Sequence, residues 1–496
     1  MSLESLLLLA VALPFLGAAL VALLGRWPNL REAASFAAAA GLIAVVLQML
    51  PAALEGARPS VALFEILPGL AIAFALEPLG LVFALVASVL WLVTSLYSLG
   101  YMRANKESHQ TRFYTCFALA LGAAMGIAFA ANMLTLFIFY EVLTLATYPL
   151  VTHAGTEEAR HAGRLYLGVL LTTSIGFQLL AILWTWSITG DLTFQAGGVF
   201  AQRASDGVLG VLLVLYVFGI GKAAIMPFHR WLPAAMVAPV PVSALLHAVA
   251  VVKAGVFTIL KVVVYLFGVD TMAGLAGSIW LGYVAAATIL IASLIALREN
   301  DLKRRLAYST IGQLSYIVLG AGLANGSSLM GGALHIAMHG FGKITLFFCA
   351  GAIATALGKK YVSELAGIGR RMPVTMTAFA VGSFALIGLP PTGGLWSKWY
   401  LARGAIEAHN YLLLAVLIAS ALLSAAYFLP IVGKAFFAAP DPSEDGAGAV
   451  REAPLPCLIA LGLSCAGCLA LFFYPDVLYR LLEPLAALAT TRPTTP

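Results

Sequence analysis

The chain has 496 residues, of which 61% are hydrophobic and only 10% charged. That balance excludes a soluble globular domain and leaves an integral membrane protein. The formal charge of +6 comes without a basic, aromatic-interleaved surface, so nucleic acid is not an expected partner.

Apolar runs, each near the ~20 residues needed to cross a bilayer, predict about fourteen transmembrane helices. In chain order they cover residues 3–24, 32–54, 79–101, 113–131, 133–152, 165–188, 208–226, 241–267, 275–297, 304–323, 327–357, 373–402, 410–437 and 455–479. The first carries Glu4 and no positive leader, so it reads as a retained helix rather than a processed signal. Connections after odd-numbered spans hold eighteen basic residues, among them Arg103, Arg230, Lys303 and Lys360, while those after even-numbered spans hold five, Arg58, Arg203, Arg403, Arg480 and Arg492. The positive-inside rule then places the odd loops in the cytoplasm and both termini outside a cell (inner) membrane.

The remaining five basic residues, Lys222, Lys253, Lys261, Lys343 and Lys398, fall inside spans and are all lysines. A desolvated lysine can gain and lose a proton, whereas an arginine stays charged, and a charge in lipid costs roughly 2.5–3.5 kcal/mol. Repeated lysines at membrane depth therefore point to proton movement. Helix five adds Glu141, about nine residues from its outer end. An unpaired carboxylate there would take up a proton, and Lys222 is its expected partner; a purely structural ion pair is the alternative.

Helix seven runs into Pro227, Pro233, Pro239 and Pro241 just after Lys222. Each proline removes a backbone donor, so a break is expected, and breaks at membrane depth line ion sites in transporters. A second break is expected in helix twelve at Gly388, Pro390, Pro391, Gly393 and Gly394, with Lys398 about one turn beyond. Matched breaks suggest two inverted five-helix repeats, helices four to eight and nine to thirteen. The expected organisation is residues 1–111 for helices one to three, 112–270 for the first repeat, 271–438 for the second, and 439–496 for a linker with helix fourteen.

On helix eleven His335, His339 and Lys343 are spaced by four and share a stripe, as a proton relay requires. On helix eight Lys253 is the stronger candidate, with His247 as a hydrogen-bond partner or gate; Lys261, near the helix end, reads as a snorkelling side chain. Cys465 and Cys468 form a lone C-x-x-C inside the last span and read as packing. With no dinucleotide fingerprint, P-loop or cysteine array, neither a cofactor nor a metal is expected.

The segments PVPVSALLHAVAVVKAG, DLKRRLAYSTIGQLSYIVLG and GLPPTGGLWSKWY, with the H-x-x-x-H-x-x-x-K stripe, resemble the antiporter-like subunits shared by Mrp-type cation/proton antiporters and respiratory complex I. The details are most similar to the Mrp D subunits. The resemblance implies a fourteen-helix fold inside a hetero-oligomeric membrane complex, with Glu141 and Lys222 as the key pair. It also implies a central path through Lys253 and Lys343 to a terminal Lys398, where some relatives carry glutamate. The function implied is a proton-translocating subunit of a multisubunit Na⁺/H⁺ antiporter. The alternatives are a proton-pumping subunit of a complex I-like or hydrogenase-type redox complex, and a stand-alone solute carrier or accessory uptake subunit.

Overall fold

A polar side chain caps the start of several interior helices: Asn132, Thr156, Asp301 and Asn325 each accept from a backbone N–H in the first turn. These caps satisfy donors that would otherwise be orphaned and allow short connections between long apolar helices. The computed structural model describes residues 1–200, 203–275, 278–439 and 449–489; Arg492, weighed above, lies outside them. The helices are α1 (Leu3–Leu23), α2 (Pro28–Leu54), α3 (Pro78–Ala104), α4 (Gln110–Ala128), α5 (Met133–Val151), α6 (Glu157–Thr189), α7 (Asp206–Gly219) and α8 (Val240–Gly274). They continue as α9 (Ile279–Arg298), α10 (Leu302–Leu323), α11 (Gly326–Leu357), α12 (Pro373–Ile387), α13 (Gly394–Glu407), α14 (Tyr411–Phe437), α15 (Leu455–Phe473) and α16 (Asp476–Ala487).

Among the described residues twelve helices are long and apolar enough to cross a membrane, and the shorter apolar helices α7 and α12 begin the two interrupted spans. The fold is therefore an all-α, multi-pass membrane bundle with about fourteen crossings. Every residue in the most apolar stretch of α8 is buried, against 28% for α15. A helix buried on all sides lies in the middle of such a bundle, and α8 does so although it carries Lys253 and Lys261. Two π-helical turns, Leu245–Val249 and Val262–Gly268, flank its regular segment Val251–Lys261.

Both expected breaks are present, but the first falls earlier than the apolar pattern suggests. α7 stops at Gly219, and Lys222 sits on a single 3₁₀ turn, Gly221–Ala223, rather than within the helix. The chain resumes as a one-turn helix, Trp231–Ala234, before α8. Gly255 of α8 faces this turn so closely that a Cβ there would lie 2.2 Å from the Ala223 nitrogen and 2.3 Å from the Lys222 carbonyl carbon. The second break is tighter. Gly388 takes φ +90° to end α12, and α13 begins six residues later. Met226–Pro227 and Pro390–Pro391 are cis.

Two elements escaped the hydropathy pattern. An antiparallel hairpin, β1 (Ser60–Leu67) and β2 (Leu70–Ala75), fills the connection between α2 and α3 and docks on the α4–α5 turn through Ala75 N–H to Phe129 O at 2.7 Å and Asn132 Nδ2 to Ala71 O at 2.8 Å. The last span ends at Phe473, short of the expected 479, because a separate amphipathic helix, α16, follows and buries Leu478, Leu481, Leu482 and Leu485.

One backbone feature occurs twice. Asn132 bridges to Thr193 and Asp301 to Tyr361, each in antiparallel fashion. The hydrogen bonds match: Met133 N–H to Leu192 O (2.9 Å) and Phe194 N–H to Ala131 O (3.0 Å) in the first, Leu302 N–H to Lys360 O (3.0 Å) and Val362 N–H to Asn300 O (2.8 Å) in the second. Each bridge ties the start of one helix (α5, α10) to the end of the next (α6, α11).

Candidate functional site

Lys222 is fully buried. Its Nζ donates to the Tyr140 carbonyl at 2.8 Å and to Thr144 Oγ1 at 2.6 Å, and lies 3.2 Å from the Tyr140 ring centroid. The Lys222 N–H donates to the Tyr140 hydroxyl at 3.0 Å. Tyr140 and Thr144 are one turn apart and share a face of α5, whereas Glu141 is rotated from Tyr140 by ~100°. Lys222 thus engages neutral acceptors beside Glu141. Both Glu141 carboxylate oxygens are buried without a hydrogen-bond partner. The direct ion pair expected from the sequence is absent from this arrangement, although the two residues share the α5 wall.

On α8 and α11, Lys253 Nζ and His339 Nδ1 lie 2.7 Å apart. The His339 and His335 ring centroids are 5.7 Å apart, as their i, i+4 spacing on α11 dictates. His335 Nδ1 is 2.8 Å from Ser397 Oγ. Lys398, the next residue, donates to the last carbonyls of α12, Leu386 O at 2.7 Å and Ile387 O at 2.9 Å, and its Nζ lies 5.0 Å from the Tyr316 ring centroid. Helix ends leave carbonyls unpaired and carry partial negative charge, so the break made by Pro390 and Pro391 supplies the seat for this ammonium. Tyr316 also packs 5.5 Å from His335. Lys253, His339, His335, Ser397 and Tyr316, all buried, and the half-buried Lys398 thereby form one contiguous polar run. His335 and His339 each keep Nε2 buried and unpaired.

Two predicted residues stand off this run. Lys343 continues the α11 stripe but donates to the Leu306 carbonyl of α10 at 2.9 Å. His247, on the first π turn of α8, packs 4.7 Å from the Phe347 ring with both ring nitrogens unpaired. Pro227 lies in the first break, five residues from Lys222.

Lys261 does not snorkel. It is 1% exposed, lies 2.5 Å from Glu77 Oε1 and donates to the Ala130 carbonyl at 2.8 Å. Nothing in the sequence joins Glu77 to Lys261, since one precedes α3 and the other lies deep in α8. Thr144, Tyr316 and Ser397 were likewise invisible as isolated polar residues, and only the adjacency of Ser397 to Lys398 offered a hint. Glu32, in the first turns of α2, is buried beside Arg31 and Arg103. A polar cavity of about 1100 Å³ opens on the side of the odd loops, lined by Glu107, His161, His229, Arg230, Lys303 and Lys360 among others. There Lys303 Nζ donates to the Ala238 carbonyl at 2.5 Å, linking α10 to the start of α8.

Residues 130–424 match the profile of the family described as NADH:quinone oxidoreductase/Mrp antiporter, TM. The chain is 35% identical to NADH-quinone oxidoreductase subunit N of Desulforudis audaxviator over 78% of its own length and 77% of that protein's. It is 29% identical to an Na(+)/H(+) antiporter subunit of Alkalihalophilus pseudofirmus over 84% of its length, while spanning only 54% of that longer protein. In structure it resembles a chain of the Mrp complex from Dietzia sp. DQ12-45-1b (TM-score 0.88, 23% identity, covering 99% and 98% of the two chains). A similar likeness holds to a chain of the archaeal membrane-bound sulfane sulfur reductase (TM-score 0.84, 23% identity, 97% of each chain). The profile match over most of the chain, together with the 35% identity, establishes that this protein belongs to the NADH:quinone oxidoreductase/Mrp antiporter transmembrane family.

Proposed function

We propose that this chain is the proton-translocating subunit, of the Mrp D type, of a multisubunit monovalent cation/H⁺ antiporter that exchanges Na⁺ for H⁺. The observation that carries the proposal is the polar run from Lys253 through His339 and His335 to Ser397 and Lys398. Titratable groups are expensive in an apolar bundle, and a chain of them within hydrogen-bonding or ring-contact distance is what proton exchange requires. In this reading Lys222, held by Tyr140 and Thr144 with Glu141 alongside, is the switch at the first break. Its proton is handed by way of Lys253, His339 and His335, with Lys343 as a side station, to Lys398 at the second. His247 flanks that path as a gate, and Pro227, Pro390 and Pro391 keep the two breaks open.

The same reading takes the chain to be two inverted five-helix units (112–270 and 271–438) between the 1–111 and 439–496 segments, with both termini outside. The paired backbone bridges support this, because five crossings, α5 to α9, lie between the start of α5 and the start of α10, which brings the two bridges to opposite membrane faces. The other membrane subunits of the antiporter are its partners, and the lipid bilayer is its surroundings.

The test is cation-dependent proton movement in everted vesicles from an antiporter-deficient host expressing the chain with its neighbouring genes. Activity on adding Na⁺, lost in Lys222→Ala and in Glu141→Ala, supports the antiporter. The identity to a quinone oxidoreductase subunit favours a second reading, a proton-pumping subunit of a redox complex. Proton movement driven by NADH or another electron donor, with no response to Na⁺, selects it.

A further inference from the structure

The Glu77–Lys261 pair has no place in the relay above, yet it shares a helix face with it. Lys253, Phe257 and Lys261 follow at i, i+4 and i+8 on the regular segment of α8, so they form one stripe about 12 Å long. Lys261 meets Glu77 from the turn before α3, the Ala130 carbonyl from the α4–α5 turn and, at 4.1 Å, the ring of Phe194 from the connection after α6. All three connections follow even-numbered helices and lie at one end of the bundle. Lys261 is 1% exposed while the Glu77 side chain keeps 14%, with the Oε1 that meets Lys261 buried, so Glu77 is the member of the pair nearer the surface. The charged and titratable neighbours are Arg58, beside Glu77, and Tyr265, one turn further along α8. Burial pushes the Glu77 carboxyl up from the ordinary range and Lys261 pulls it back. Phe257 is fully buried, 5.0 Å from the Phe83 ring and 5.7 Å from Lys261 Nζ. Apolar constrictions of this kind interrupt water and so interrupt proton conduction.

We propose that Glu77 and Lys261 form the proton port of the even-loop side and that Phe257 is the gate between this port and Lys253. The inference rests on the proton-translocating function proposed above. Protonation of the Glu77 carboxylate from outer water neutralises it and releases Lys261. The Lys261 ammonium then passes one proton inward to the neutral amine of Lys253 when Phe257 moves aside, and Glu77 returns its proton to the Lys261 amine. One proton enters, one moves on, and the ion pair is restored. A pair that merely tied α8 to the start of α3 would hold the same geometry and move nothing.

The test uses the assembled complex in proteoliposomes, with an interior pH dye, an imposed potential and no cation gradient, and antiport measured on the same preparation. Phe257→Ala is expected to raise passive proton leak at least tenfold, and Glu77→Gln added to it to return the leak to within about twofold of the unsubstituted complex. A leak unchanged in Phe257→Ala, or one that survives Glu77→Gln, overturns the proposal. Glu77→Gln alone serves if the cavity-forming variant does not assemble: the rate of antiport should lose its dependence on pH on the even-loop side and keep it on the other. An unaltered dependence on both sides overturns the port. Absence of both antiport and redox-driven pumping in the unsubstituted complex would instead reject the underlying function.

Discussion

The two breaks seat their lysines differently. Lys222 is fully buried and reaches across to a neighbouring helix, α5, for a carbonyl and a hydroxyl. Lys398 is half-buried and folds back onto the carbonyls at the end of its own interrupted span. The first seat joins the break to a different span, α5, whereas the second joins the two halves, α12 and α13, of one interrupted span. The first therefore couples two spans and the second spans its own break.

The sharpest way to break the comparison is at the backbone. Gly255→Val drives side-chain atoms into the Lys222–Ala223 backbone, and neither partner is a flexible side-chain end. We expect loss of assembly, read as absence of the complex on native gels. Gly388→Ala strains a single left-handed position and also crowds the Lys398 side chain at 2.9 Å. It should cost about 1–2 kcal/mol and lower the melting temperature by a few degrees while the complex still assembles. Equal outcomes would mean that the two breaks tolerate strain alike.

Next come the lysines themselves. Arginine can supply the donors at either seat but holds its proton. Lys398→Arg should leave stability intact and cut transport roughly tenfold or more; unchanged transport would reduce Lys398 to a helix cap. Lys222→Arg should be worse on both counts, because its seat is fully enclosed. Thr144→Val removes one acceptor of Lys222 and should cost about 1 kcal/mol, seen as a several-fold fall in transport with a displaced pH profile. The same profile measured in Lys398→Arg should keep its midpoint.

An effect confined to acid pH concerns the end of α5, which carries the first seat. Burial, with Arg112 adding to it, lowers the His153 pKa from 6.5 to about 4. A histidine kept neutral in the fold contributes stability that is fully present above pH 6.5 and fades as pH falls towards about 4. The melting temperature should therefore drop across that window, and His153→Gln should flatten the drop. An unchanged slope in the variant would assign the acid sensitivity elsewhere.

How much of this was legible differed by element. The crossings were readable because ~20 apolar residues have few other destinations, and both breaks were marked by glycine and proline. The hairpin was not, because two strands of eight and six residues beside long apolar runs look like a connection. α16 merged with the preceding span for the same reason. Within the site, the His335–His339 stripe follows from helical periodicity, but partners across helices do not. Glu77–Lys261 joins residues far apart in the chain, and Glu141 beside Lys222 is a neighbourhood whose geometry depends on where α7 stops. That stop came three residues before Lys222, which turned the lysine from a helix face into a turn and aimed it at Tyr140 and Thr144.

The twin backbone bridges have a mechanical consequence. Each fastens the beginning of one long helix to the far end of the next, closing two rods and their hairpin bend into a triangle that resists shear. Between the two braced pairs runs α8, where two π turns loosen the hydrogen-bond ladder on either side of Lys253 and Lys261. The braced α6 carries a π turn of its own at Ser174–Leu179, so the bridge holds the ends of the α5–α6 pair while its second rod keeps a soft joint partway along.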